Sequence, residues 1–128
     1  MSSPKQRLLD AFFNQFSAFL DEVCRIYPDQ TEFRAYYTIL KLMRTTNPMM
    51  VIAEFRRNVG QYETELRKKD DSFFLAQSYD SETGGSSSLN DFINIIKSLW
   101  KEATPQVKTS IMDYVNLLLD IANHYYTI

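Results

Sequence analysis

The sequence predicts an all-α fold: a single-domain bundle of about five helices with the C-terminal helix at its centre. Three observations carry that prediction. Apolar residues recur at three- and four-residue spacing through five separate stretches, the periodicity of helices with one buried face. Only 3 glycines and 4 prolines interrupt 128 residues, which suits long helices better than many short strands. Three of the prolines directly follow a cap residue (Ser3-Pro4, Asn47-Pro48, Thr104-Pro105), the pairing that starts a helix. A chain of this length can hold a core without staples, and 45% apolar residues with 9 Phe and 8 Tyr fit a packed globule. The restarts at 4, 48 and 105 are unevenly spaced, which argues against a solenoid.

The first helix is expected over 4–26. Ser3 caps it, and Leu9, Phe12, Phe13, Phe16, Phe19, Leu20, Val23 and Tyr27 form a broad aromatic face that ends at Pro28. Such a face is either a core stripe or a docking surface. Asp29 and Glu32 have capping-box spacing for a second helix over 31–44, with Phe33, Tyr36, Tyr37, Leu40 and Met43 inside. After the break Thr45-Thr46-Asn47, a third helix over 48–67 presents Val51, Ile52, Phe55, Val59, Tyr62 and Leu66. Gly60 falls on its outer side, as a kink, a close approach or plain surface.

Asp70-Asp71-Ser72-Phe73-Phe74-Leu75 then forms either a short helix to about 77 or an irregular segment pinned by Phe73 and Phe74. Residues 78–88, with Gly84-Gly85-Ser86-Ser87-Ser88, read as a flexible surface loop, open to proteolysis. Within the one domain, 1–128, this loop separates a three-helix part (1–77) from a helical hairpin (89–128). Ser88 and Asp91 cap the helix over 89–101. The helix over 105–126 is apolar around most of its circumference; Thr109, Asp113, Asn116, Asp120 and His124 hold a narrow polar seam. A helix so widely apolar must be covered on most sides, hence its central place.

The chain lacks the common grammar of an active site. It has no glycine-rich phosphate loop, no CxxC pair, no His-Glu-x-x-His and no serine elbow. Asp120 and His124, four apart on one helical face with Asp113 further along, are the nearest thing to a metal or general-base pair. An imidazole near a helix C-terminus is also simply favourable with the dipole. Cys24 is the one thiol, so a Cys–His nucleophile has only counting behind it. Asp70-Asp71 serves equally as a charged turn. No catalytic residue, metal ligand or cofactor is therefore assigned. A lone cysteine and the absence of a signal-like N-terminus suit an intracellular, reducing compartment, and the longest apolar run, Met49–Ala53, is too short to cross a membrane.

Charge is uneven. Residues 1–69 carry 11 Lys/Arg against 8 Asp/Glu, whereas 70–128 carry 3 against 8, so a net −2 conceals halves of +3 and −5. Such polarity can orient copies of one molecule. The basic candidates for nucleic-acid contact are Arg56, Arg57, Arg67, Lys68 and Lys69. With Lys41 and Arg44 they would spread over about 30 Å of helix, too far for one phosphate patch.

The run Phe33-Arg34-Ala35-Tyr36-Tyr37-Thr38-Ile39-Leu40-Lys41, with Thr46-Asn47-Pro48, Phe55-Arg56-Arg57-Asn58-Val59, Tyr62 and Lys69-Asp70-Asp71-Ser72-Phe73-Phe74, resembles small uncharacterised helical proteins of large double-stranded DNA viruses of algae and protists. The resemblance spans residues 10–75. It implies a viral accessory or particle component, in the host cytoplasm or the virion, and assigns no site residue. The functional expectation is a non-enzymatic interaction or assembly module that self-associates or takes a protein partner. Its alternatives are a nucleic-acid-associated helical protein and a small enzyme with an acidic/His site. Seventeen Phe and Tyr plus Trp100 are hard for a small domain to cover, and aromatics are enriched at interface centres. Phe13, Phe73, Phe74, Tyr125 and Tyr126 are the candidate anchors.

Overall fold

In the computed structural model, which describes residues 3–68, 88–100 and 102–128, Ser3 opens the fold by accepting the Gln6 amide on its Oγ at 3.0 Å. With Pro4 in the first turn, this starts α1 (Pro4–Ile26). There follow α2 (Thr31–Thr46), α3 (Pro48–Gly60), α4 (Glu63–Arg67), α5 (Ser88–Trp100) and α6 (Pro105–Thr127). Thr104 caps α6 as expected, its Oγ1 accepting the Val107 amide at 3.2 Å. The fold is all-α and single-domain, and among the described residues there is no strand. The loop expected at 78–88 lies outside the described residues except for Ser88, which begins α5.

Four local expectations are corrected. Asp29 and Glu32 do not form a capping box: Gln30 is the N-cap of α2, with no side-chain bond. The Gln30 amide instead closes a tight turn onto the Tyr27 carbonyl at 3.0 Å, so the cap is Gln30 while the helix starts at Thr31 as expected. Asn47 occupies the cap of α3 but its side chain donates to Met50 Sδ at 3.6 Å and caps nothing. The single helix expected over 48–67 is two, so the described helices number six. It breaks at Gly60, where the Tyr62 amide bonds the Val59 carbonyl at 3.0 Å, one residue short of helical spacing. Gly60 is also not outward-facing. A Cβ there would meet Leu119 Cδ1 at 3.9 Å, so the residue looks toward α6.

α6 lies against α1, α3 and α4; α1 packs on α2 and α3 as well, and α5 rests on α2. The centre is aromatic. Phe12 touches Phe13, Phe16 and Phe55 edge-on, with ring centroids 5.5–5.7 Å apart, and is wholly buried. Ile52, Val59, Leu118, Leu119 and Ala122 close around this cluster. Beyond the break, Leu66 is fully buried and α4 packs on α6.

Candidate functional site

Two sets of residues emerge as candidates, a polar seam along α6 and an apolar end of the bundle. The seam is centred on Arg67. Its Nη2 lies 2.6 Å from Asp120 Oδ1, its Nε donates to Glu63 Oε2 at 3.3 Å and its Nη1 to Asn116 Oδ1 at 3.1 Å. Asn116 Nδ2 donates to the Leu66 carbonyl at 2.9 Å, and Arg56 Nε donates to Asn123 Oδ1 at 3.0 Å. The narrow polar face of α6 is thus what α3 and α4 dock against.

This arrangement decides what several candidates can do. Asp120 is held by Arg67, and His124 is exposed beside it without a converging set: among the described residues no three His, Cys, Asp or Glu side chains come together. Arg57 is paired with Glu54, and the Arg56 guanidinium sits 4.8 Å over the Tyr126 ring. Arg56, Arg57 and Arg67 therefore have their charge or their donors engaged within the fold. Lys68 is exposed at the end of α4, and Lys69 lies outside the described residues. Asn123 and the hub role of Arg67 were missed from sequence. The signal was there, since Asn116, Asp120 and Asn123 sit at i, i+4 and i+7 within an otherwise apolar helix.

The second candidate surface arises where four helix termini meet. Lys5 Nζ lies 4.7 Å over the Tyr125 ring, bringing the start of α1 to the end of α6. Arg44, at the end of α2, bonds Asn14 at 3.0 Å, approaches Asp10 at 3.6 Å and stacks 5.6 Å over Phe13. Arg56 ties α3 to Tyr126, and the start of α3 continues a further two turns toward the same end. Of the seven large apolar side chains exposed among the described residues, five lie near the end of α2, the start of α3 or the end of α6: Leu42, Met49, Met50, Tyr126 and Ile128. Leu42 and Met49 each keep 59% of their surface in water.

The turn between α2 and α3 folds several of its polar groups back on the chain. The hydroxyls of Thr45 and Thr46 both donate to the Leu42 carbonyl at 2.9 Å, the Asn47 amide closes onto the Met43 carbonyl at 2.8 Å, and Pro48 has no N–H to satisfy. Leu42, Met49 and Met50 are exposed around it, and the first turn of α3 has no side-chain cap.

Of the aromatic anchors named from sequence, Tyr126 is exposed as expected. Phe13 and Tyr125 are not: they keep 1% and 4% of their surface. Phe13 lies at the margin of the α1 stripe, but Arg44 of α2 covers it; Tyr125 is covered by the start of α1. Phe73 and Phe74 lie outside the described residues. Cys24 is half-buried, and burial raises its thiol above the usual range, the opposite of what a nucleophile needs. Among the described residues no helix is long and apolar enough to cross a membrane. No protein-family model, curated protein or solved structure matches the chain.

Proposed function

We propose that this chain is a non-enzymatic interaction module that self-associates through the end of the bundle carrying Leu42, Met49, Met50, Tyr126 and Ile128. The observation behind the reading is the concentration of exposed apolar side chains at that one end. Contiguous exposed apolar surface is costly to leave in water and marks contact sites. Methionine and leucine adapt to an incoming surface at little cost, which suits a docking face. On the resemblance to viral proteins over residues 10–75, such a module would act in an infected cell's cytoplasm or within the particle.

Light scattering on purified protein from about 1 µM to about 300 µM, a range that brackets weak specific association, tests the reading. Rising mass with concentration is expected, and Leu42→Ser with Met49→Ser is expected to abolish the rise without loss of helical circular dichroism. A strict monomer at the top of that range would overturn self-association. A generic DNA duplex belongs in the same experiment. Binding that disappears between low and moderate salt would replace this reading with nucleic-acid contact.

A further inference from the structure

A cleft of about 480 Å³ opens where α3, the start of α4 and the end of α6 meet, lined in part by Ala53, Arg56, Arg57, Glu63, Asn123 and Tyr126. Its volume falls in the range that small-molecule sites occupy. Arg56 is held there twice. Its Nε donates to Asn123 Oδ1 at 3.0 Å, and its guanidinium lies 4.8 Å from the centre of the Tyr126 ring. Asn123 is held in turn, its Nδ2 donating to Glu63 Oε1 at 3.4 Å. These contacts use one nitrogen and one face of the guanidinium. The terminal nitrogens, Nη1 and Nη2, make no hydrogen bond among the described residues. A guanidinium fixed at its Nε and its face, with its outer edge free, is pre-organised for the paired N–H···O bonds of an oxyanion.

Charge decides which oxyanion. Arg57 is paired with Glu54, and Arg67 answers both Glu63 and Asp120. Arg56 is the one guanidinium of α3 and α4 with no carboxylate partner among the described residues. Taken whole, Arg56, Arg57 and Arg67 stand against Glu54, Glu63 and Asp120, so the cleft has no surplus positive field for a dianion. It offers one directed fork, which matches one planar carboxylate better than a phosphate. Beside the fork, Tyr126 keeps 40% of its surface in water and Ala53 is exposed, an apolar flank on which the body of an acid can rest.

We infer that this cleft binds a small organic acid, a single carboxylate on an aromatic body, with Arg56 taking the carboxylate and Tyr126 the ring. The site is separate from the self-association proposed above and does not depend on it.

NMR of the backbone amides of full-length protein, titrated with phenylacetate at a constant ionic strength of about 150 mM, tests this. Saturable shifts in α3 and at the end of α6 are expected, with a Kd below about 5 mM. Acetate, which lacks the ring, and phenyl phosphate, a dianion, should each bind at least about fivefold more weakly. Arg56→Lys keeps the charge but loses the fork, and should weaken phenylacetate at least about fivefold. Because Ala53 is exposed, Ala53→Glu costs no packing, and it sets a rival carboxylate one turn from Arg56, so it should abolish binding. Circular dichroism should show both variants folded. Arg34→Gln takes away an arginine at the start of α2, outside the cleft, and should change nothing. No saturation by about 20 mM phenylacetate would overturn the site, as would unchanged binding in both cleft variants. Equal loss with Arg34→Gln would overturn its location. Phenyl phosphate binding as tightly as phenylacetate would overturn the carboxylate.

Discussion

The two ends of the bundle treat their apolar residues in opposite ways. Toward the far end, aromatics cover one another: Phe19 stacks on Tyr114 with centroids 5.2 Å apart, and Tyr27 leans on Phe33 at 6.2 Å, leaving Phe33 without exposed surface. At the near end, Leu42, Met49 and Met50 have no such cover. The difference teaches that aromatic abundance chiefly locates the core of this protein, and that its exposed apolar surface is mostly aliphatic and thioether, with Tyr126 the one exposed ring among its members. A phenyl ring buries a large area and finds edge-on partners inside, so helical packing absorbs it first.

The strongest way to break that comparison is to truncate one residue from each population. Phe12→Ala is expected to cost about 3–5 kcal/mol, because a fully buried ring with three aromatic neighbours leaves a cavity. Met49→Ala should stay within about 0.5 kcal/mol of wild type under dilute conditions. Urea denaturation of both variants reads this directly, and similar losses would mean that Met49 is packed.

A smaller effect tests whether the polar seam of α6 is structural. Arg67→Ala should destabilise by about 1–2 kcal/mol, discounted for partial solvent exposure. A double-mutant cycle with Asp120→Ala should return a coupling of about 0.5–1 kcal/mol. Additive losses would mean the pair contributes nothing and would return Arg67 to the list of free basic residues.

The smallest expected effect is a pH dependence. Lys97 keeps 8% of its surface, and burial holds its ammonium below the usual lysine range. Between that lowered value and the ordinary one, about 10.4, the unfolded chain binds the proton more tightly. Stability therefore rises with pH through this window, and Lys97→Met should remove the rise. Tyr27 runs the other way: burial, then the charge of Glu102, raises its phenol, so its contribution is lost as pH climbs above about 10. Chemical denaturation at several pH values below 10, on wild type and Lys97→Met, separates the two. Parallel curves would show that Lys97 feels no burial.

Much of the fold was legible residue by residue. Ser3-Pro4 and Thr104-Pro105 start helices where their side chains cap them, and the buried faces of α1 and α6 follow the apolar period. Less of the candidate site was readable. Phe13 looks marginal on its own helix and Tyr125 sits at a frayable end, and a neighbouring helix end covers each. Leu42, Met49 and Met50 look like any helix residues, and nothing in their spacing says that no element packs over them.

By itself, the sequence determined the class, the helix starts and the central place of α6, because these depend on local capping and on the period of apolar side chains along one helix. Tertiary structure alone decided the break at Gly60, the Arg67 seam and which apolar residues stayed wet. Those outcomes depend on what lies across a helix face, a relation between residues tens of positions apart that no local periodicity encodes.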